Sequence, residues 1–287
     1  MGILQKTSSD ELEHDEIAAA LLDEAGVLDS LPTPENALLT FLGLTQLSFN
    51  FGEEPEWTQL SPEIPKKLRA ALSVNDRVVV THSELGPKRN RWSVFHEIAH
   101  FVLPEHLEKI FLDDDRTLNI WTRSRLEREA NSLAAELLFQ GNRFTEESLD
   151  LPLSCRTVFD LAPRFDASYE SAIRRYVERH VLPCAAIVYD RVRSLPGEDI
   201  ADQRYRVHYT VASAPFKKKF FSAVTTDSDF ARGSEIFQVH GSENIGNVIE
   251  TPLTVQKHGG GEWVFDSELF TNSYKIFQLV IGPPKAE

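Results

Sequence analysis

His96-Glu97-Ile98-Ala99-His100 is the stretch of this 287-residue chain whose residue types and spacing can do chemistry. On a helix, residues four apart lie on one face about one turn apart, so both imidazoles can reach a single ion. Glu97 follows the first imidazole and can hold and deprotonate a water on the metal. Zinc brings the pKa of such a water toward ~7, which makes a nucleophile available near neutrality. Three fixed positions also arise by accident, so the setting matters. The motif lies in an apolar helical stretch that begins at Trp92, carries Phe95, Ile98, Ala99, Val102 and Leu103, and ends at Pro104. The expectation is metal-assisted peptide hydrolysis, with His96 and His100 as ligands and Glu97 as general base.

A third ligand is needed, and the next long helical pattern, from about Arg123 to Phe139, offers Glu127, Glu129 and Glu136. At ~100° per residue its apolar side carries Leu126, Ala130, Leu133, Ala134, Leu137 and Leu138. Glu127 falls inside that arc, whereas Glu129 and Glu136 project to the far side and read as solvated groups. A carboxylate on a buried face needs a compensating partner, which an ion on the facing helix would supply. Glu127 is therefore the expected third ligand, and Asn131, one turn on, is placed to fix a histidine ligand. Two histidines and a carboxylate suit several divalent ions, so Zn2+ is expected and Mn2+ is the alternative.

His96-Glu97-Ile98-Ala99-His100 together with Glu127-Arg128-Glu129-Ala130-Asn131 resembles the paired motifs of the ImmA/IrrE metallopeptidases, over residues of about 75 to 140. The resemblance implies that Glu127, the first Glu of the second motif, completes the metal site. It also implies a substrate, a DdrO-like helix-turn-helix transcriptional repressor whose cleavage after DNA damage releases repair genes. The chain departs from the pattern at Pro104, where many relatives carry a histidine. That leaves the oxyanion-stabilising group open, with His106 or a distant side chain available.

The elements that must position these residues are helical around a small sheet. Ser9 is a plausible cap of a first helix carrying Ile17, Leu21 and Leu22, and Pro34 to Gly43 brackets a second. Leu47, Phe49 and Phe51 alternate as a strand, a helix is expected from Pro62 to Leu72, and Arg77 to Thr81 reads as a strand. Ser83 to Asn90 reads as a loop, and Asp113-Asp114-Asp115 as part of an acidic linker. From Leu153 to about His180 two short helices have helix-turn-helix spacing, with Ser168 capping the second. Arg174 and Arg175 would then be available to phosphates or bases. The basic residues there are almost balanced by Asp160, Asp166, Glu170 and Glu178, which favours a helical extension that packs on the peptidase unit or holds a protein substrate. Direct DNA binding through 153–180 stays as the rival from another functional class.

After Pro183 the texture is β-rich, with runs at 185–189, 205–211, 220–224, 235–239, 248–255, 262–265 and 274–281. The fold class expected is thus α+β and multidomain. Residues 1–150 form a helical zinc-peptidase domain with a small sheet, and 151–182 a helix-turn-helix domain. Residues 183–287 form an antiparallel-sheet domain that the family resemblance implies is GAF-like and open to a small-molecule signal. Lys217-Lys218-Lys219 reads as a solvated loop, and His208, His240 and His258 as surface or structural groups.

Composition narrows the rest. A net charge of −14, from 44 acidic against 30 basic side chains, opposes broad binding to nucleic acid or anionic membrane. No apolar run approaches the ~20 residues that span a bilayer. Cys155 and Cys184 are the only cysteines, too few for a secreted disulfide scaffold, and with no apolar signal core at the start a cytoplasmic protein is expected.

Overall fold

The computed structural model describes residues 14–50, 69–103, 106, 120–191, 205–220, 229–230, 246–256 and 261–284. Among them are eight helices and nine strands, an α+β fold with two separate sheets. The chain divides into two compact units, Met1–Phe144 with Arg164–Asp166, and Thr145–Pro163 with Ala167–Glu287.

The first unit holds α1 (His14–Glu24), α2 (Glu35–Leu42), β1 (Thr45–Phe49), β2 (Ala70–Ser73), β3 (Val78–His82), α3 (Pro87–Val102) and α4 (Ile120–Leu138). Its sheet has the order β1-β3-β2, with β1 parallel and β2 antiparallel to β3. α2 ends at Gly43, whose φ of 65° closes the helix in a conformation that favours glycine. α3 lies against both the sheet and α4, and α4 also packs on α1. Val94, Phe95, Ile98 and Ala99 are fully buried on α3, and burial of each large side chain stabilises by about 1.5–3 kcal/mol.

Polar ties fix the ends of these helices. Arg91 of α3 is buried, donates to the backbone carbonyl of Thr33 and pairs with Glu35 of α2, with its guanidinium over Phe95. Beyond α4, the Gln140 amide donates to the carbonyls of Val27 and Ser30 at 3.0 and 2.7 Å, while the Thr33 hydroxyl donates to the Leu137 carbonyl at 2.8 Å. α3 and α4 are thereby held to the same stretch of chain before α2.

Several elements differ from expectation. Ala70-Ala71-Leu72 are good helix formers, yet they lie in β2, because the ladder with β3 overrides intrinsic propensity. The expected helix's earlier residues, 62–68, lie outside the described residues, as do Ser9, Phe51, Asp113 to Asp115, 235–239, His240 and His258. α3 starts at Pro87, inside the expected loop, since proline at the first helical position lacks only an N–H that would be orphaned anyway. Glu136 was expected at the solvated face but is 1 % exposed, because a helix packed on two neighbours keeps little free surface.

The second unit is built on a six-stranded antiparallel sheet, order β6-β5-β4-β9-β8-β7. Its strands are β4 (Cys184–Arg191), β5 (Tyr205–Ala212), β6 (Asp229–Phe230), β7 (Ile249–Gln256), β8 (Glu262–Thr271) and β9 (Lys275–Ile281). Its helices are α6 (Cys155–Leu161), α7 (Tyr169–Arg179) and α8 (Ala214–Phe220), while α5 (Arg143–Leu149) carries the boundary between the units. Side chains alternate across the sheet. Ile187, Tyr189, Phe265, Leu269, Ile276 and Val280 share one core with Phe216 of α8. On the other face, Phe270 stacks on Phe277 and meets Phe159 of α6 edge-on. Lys217, Lys218 and Lys219 are in the last turn of α8 rather than a loop, where positive charge complements the helix dipole. Phe220 ends that helix instead of opening a strand.

The helical pair of 153–180 belongs to this sheet-based unit and not to the first. Ser168 caps α7 by accepting from the Ser171 N–H at 3.0 Å. Glu170, in the first turn of α7, accepts from the Tyr209 hydroxyl at 3.0 Å and from Lys275 at 2.7 Å. Arg175 is 5 % exposed, so of the two arginines only Arg174 remains at the surface, where it pairs with Glu178. At α6, the Glu268 carboxylate accepts from the Ser154 hydroxyl at 3.0 Å and the Cys155 N–H at 2.6 Å. Bonds to a charged acceptor contribute about 1.5–3 kcal/mol each when well made, and partial exposure discounts them. Glu268→Ala is therefore expected to lower the unfolding free energy of the chain by about 1–2 kcal/mol in urea titration; an unchanged midpoint would remove this cap from the account of the unit's stability.

Candidate metal centre

His96 and His100 stand one turn apart on the α3 face that meets α4, and α4 delivers Glu127 to the same point. The two Nε2 atoms are 3.1 Å apart. Glu127 Oε2 lies 3.3 Å from His96 Nε2, and Oε1 lies 3.8 Å from His100 Nε2. Four ligands about 2.0–2.1 Å from a tetrahedral ion are separated from one another by about 3.3 Å. The observed edges scatter around that value, and imidazole nitrogen with carboxylate oxygen is a donor set that zinc accepts. These three residues fit such an ion. Among the described residues, no other group of three or more histidine, cysteine or acidic side chains offers the same convergence.

Glu127 is 50 % exposed, so its position inside the projected apolar arc does not make it buried. It lies at the rim, where a long carboxylate side chain bends over to the histidines.

Glu97 is 8 % exposed, with burial as the main cause that pushes its carboxyl up to about 7. His96 pulls it down and Glu127 pushes it further up. A carboxyl poised there can take and return a proton near neutral pH. For His96, burial lowers the pKa, but the hydrogen bond to Glu127 and the charges of Glu97 and Glu127 outweigh it; the net shift is upward. Among the described residues the buried His96 Nδ1 has no hydrogen-bond partner, so the place of Asn131 one turn after Glu127 does not fix that ring edge. His100 moves the other way, down to about 4, through burial and then the neighbouring His96, which keeps its ring neutral at pH 7.

Two further residues of this site take places that the sequence did not suggest. His106, offered as an oxyanion-stabilising group, is 1 % exposed and sits on the Nδ1 side of His100, at 2.9 Å. That is the ring edge away from the point where Nε2, His96 and Glu127 converge. Glu129, expected on the solvated face, bonds His106 Nε2 through Oε2 at 3.0 Å and accepts from Arg125 at 2.9 Å. Helical projection misses both. His106 follows the end of α3 and is folded back by its N–H bond to the Leu103 carbonyl, so no helical period relates it to His100.

No described helix is long and apolar enough to cross a membrane. No match is found among curated proteins. A solved structure of a Mycobacterium tuberculosis transcriptional regulator is similar over 96 % of this chain and 88 % of that one, with a TM-score of 0.52 and 13 % identity. At that identity the likeness is one of fold. Residues 61–176 match the Peptidase_M78 family model, the IrrE N-terminal-like domain, and that stretch contains His96, Glu97, His100, His106, Glu127 and Glu129.

Proposed function

We propose that this chain is a site-specific zinc metalloprotease that cleaves a DdrO-like helix-turn-helix repressor and so induces DNA-damage response genes. The convergence of His96, His100 and Glu127 beside the buried Glu97 carries this reading. In it the chain acts in the manner of IrrE (PprI), the deinococcal radiation-response regulator. Residues 1–150 are the peptidase part, 151–182 a helix-turn-helix and 183–287 a GAF-like sensor of a small-molecule signal, all in the cytoplasm. The antiparallel sheet of the second unit supports the GAF-like reading, and a regulator among its fold relatives supports a regulatory role.

A zinc ion held by His96, His100 and Glu127 would supply a Lewis acid that lowers the pKa of water toward ~7 and polarises the scissile carbonyl. Glu97 takes the proton of the attacking water as that oxygen bonds the carbonyl carbon. It then delivers the proton to the leaving nitrogen as the C–N bond breaks, which returns Glu97 to its carboxylate. Burial excludes bulk water from Glu97 and raises its basicity for the first step.

The rival, a DNA-binding regulator with a non-catalytic metal site, is disfavoured by buried Arg175 and by the Glu170 ties at the start of α7. Base readers of this kind present the N-terminal residues of the second helix to the groove. Incubation of the full chain with a purified DdrO-like repressor is expected to give discrete fragments on a gel. The fragments should vanish on chelation and return on zinc add-back, with manganese as the second metal tried. No cleavage under either metal would sink the protease reading. Specific gel-shift of operator DNA, lost in Arg174→Ala, would install the rival.

A further inference from the structure

The hydrogen-bond chain His100–His106–Glu129–Arg125 has no part in the reaction just described, yet it runs directly into a metal ligand. We propose that His106 and Glu129 are positioning residues that set the tautomer and ring angle of His100, an inference that rests on the metal-site reading above.

Donor and acceptor counting allows one arrangement. His100 must leave Nε2 unprotonated to face His96 and Glu127 with its lone pair, so its proton is on Nδ1. That N–H donates to His106 Nδ1, 2.9 Å away, which must therefore be the acceptor. The His106 proton is then on Nε2 and donates to Glu129 Oε2 at 3.0 Å. Glu129, an acceptor only, turns its other oxygen to the Arg125 guanidinium at 2.9 Å, and the chain ends on a fixed charge. Each atom has one role, and reversing any bond would put a proton on the ring nitrogen that must ligate.

The burial gradient fits this role. His106 is sealed from water, so its ring has no solvent partner to trade for His100 or Glu129. Glu129 and Arg125 are only partly buried and pair with each other at 2.9 Å. A negative group behind the outer imidazole holds the donation in one direction along the chain. Glu127 and Glu129 leave α4 about 200° apart, so one cannot replace the other. The pair of imidazoles bridges the two directions, with ring centroids 5.0 Å apart.

The test uses the full chain and zinc alone, with affinity read by competition against a chromophoric chelator and folding read as the melting temperature of the metal-free protein. His106→Leu and Glu129→Gln are each expected to weaken zinc binding about 10- to 100-fold, the range found for outer partners of metal ligands. The double variant should be little worse than the poorer single one, since both break one chain. His106→Gln retains an acceptor and a donor and should recover most of the loss, which a merely space-filling role would not predict. Should His106→Leu fail to fold, Glu129→Gln, at a partly exposed residue, decides alone. Wild-type affinity in Glu129→Gln, or His106→Gln binding as weakly as His106→Leu, would overturn the proposal. A wild-type chain that binds no zinc would instead overturn the metal-site reading beneath it.

Discussion

Glu97→Gln is expected to lower the rate of repressor cleavage by about 10²- to 10⁴-fold while zinc affinity stays within a few-fold of wild type. Gln keeps the shape and the hydrogen-bonding oxygen of Glu97 but cannot take a proton from water. Glu97 is not among the atoms that converge at the metal centre, so its loss should spare binding. Folding should be spared too. The residue is almost wholly buried and its charged form is disfavoured there, so a neutral amide of equal volume is no harder to bury. Fragment yield against time, with bound zinc measured on the same samples, checks both halves. Equal cleavage by the two proteins would remove Glu97 from its role as general base.

Glu127→Ala is the complementary case, with the largest effect on the metal itself. Loss of one of three protein donors is expected to weaken zinc binding by more than about 100-fold, beyond what outer partners cost. At free zinc about 100 times the wild-type Kd, binding stabilises the native chain by about 2.7 kcal/mol, and a 100-fold weaker site retains only a few tenths of that. The wild-type melting temperature should therefore rise on adding zinc and the variant's should hardly move. Half exposure makes Glu127 the ligand whose truncation disturbs packing least, so metal-free melting curves of the two should overlay. A variant with the wild-type zinc response would mean that His96 and His100 hold the ion without it.

The centre was legible in the sequence to the extent that it is helical. His96, Glu97 and His100 are related by one helix, and Glu127 by a second whose apolar side named its direction. Period alone could not show how much of that side is covered. Glu127 is at an open rim while Glu136, on the projected outer side, is buried, because α4 has neighbours on more than one side. His106 was hidden for a different reason. It lies beyond the end of α3, tied by its N–H to the Leu103 carbonyl, and no helical period relates it to His100. Glu129 could have been found only by asking what a buried histidine near the motif would bond.

Across the fold, strands with strong β-formers were read well, as with β4, β5 and β9. Segments whose local preference opposes their tertiary setting were misread. Ala70-Ala71-Leu72 joins a sheet through pairing that only a distant strand supplies, and Lys217 to Lys219 lie on a helix whose one buried residue is Phe216. The helices of 153–180 were placed correctly along the chain, yet what they pack against depends on contacts with residues about a hundred positions away. Ser154 and Cys155 meeting Glu268 is one such contact.

Both cysteines of the chain fall in the second unit, Cys155 on α6 and Cys184 on β4, and both are fully buried. Burial is the main cause that pushes their thiols up, Cys184 to about 12, so neither forms a reactive thiolate in the native state near neutral pH. The first unit has none. A thiol reagent is therefore blind to one half of the molecule and meets in the other a lock rather than a target. Its rate of reaction is expected to follow how often the second unit opens around Cys155 and Cys184 rather than sulfur chemistry.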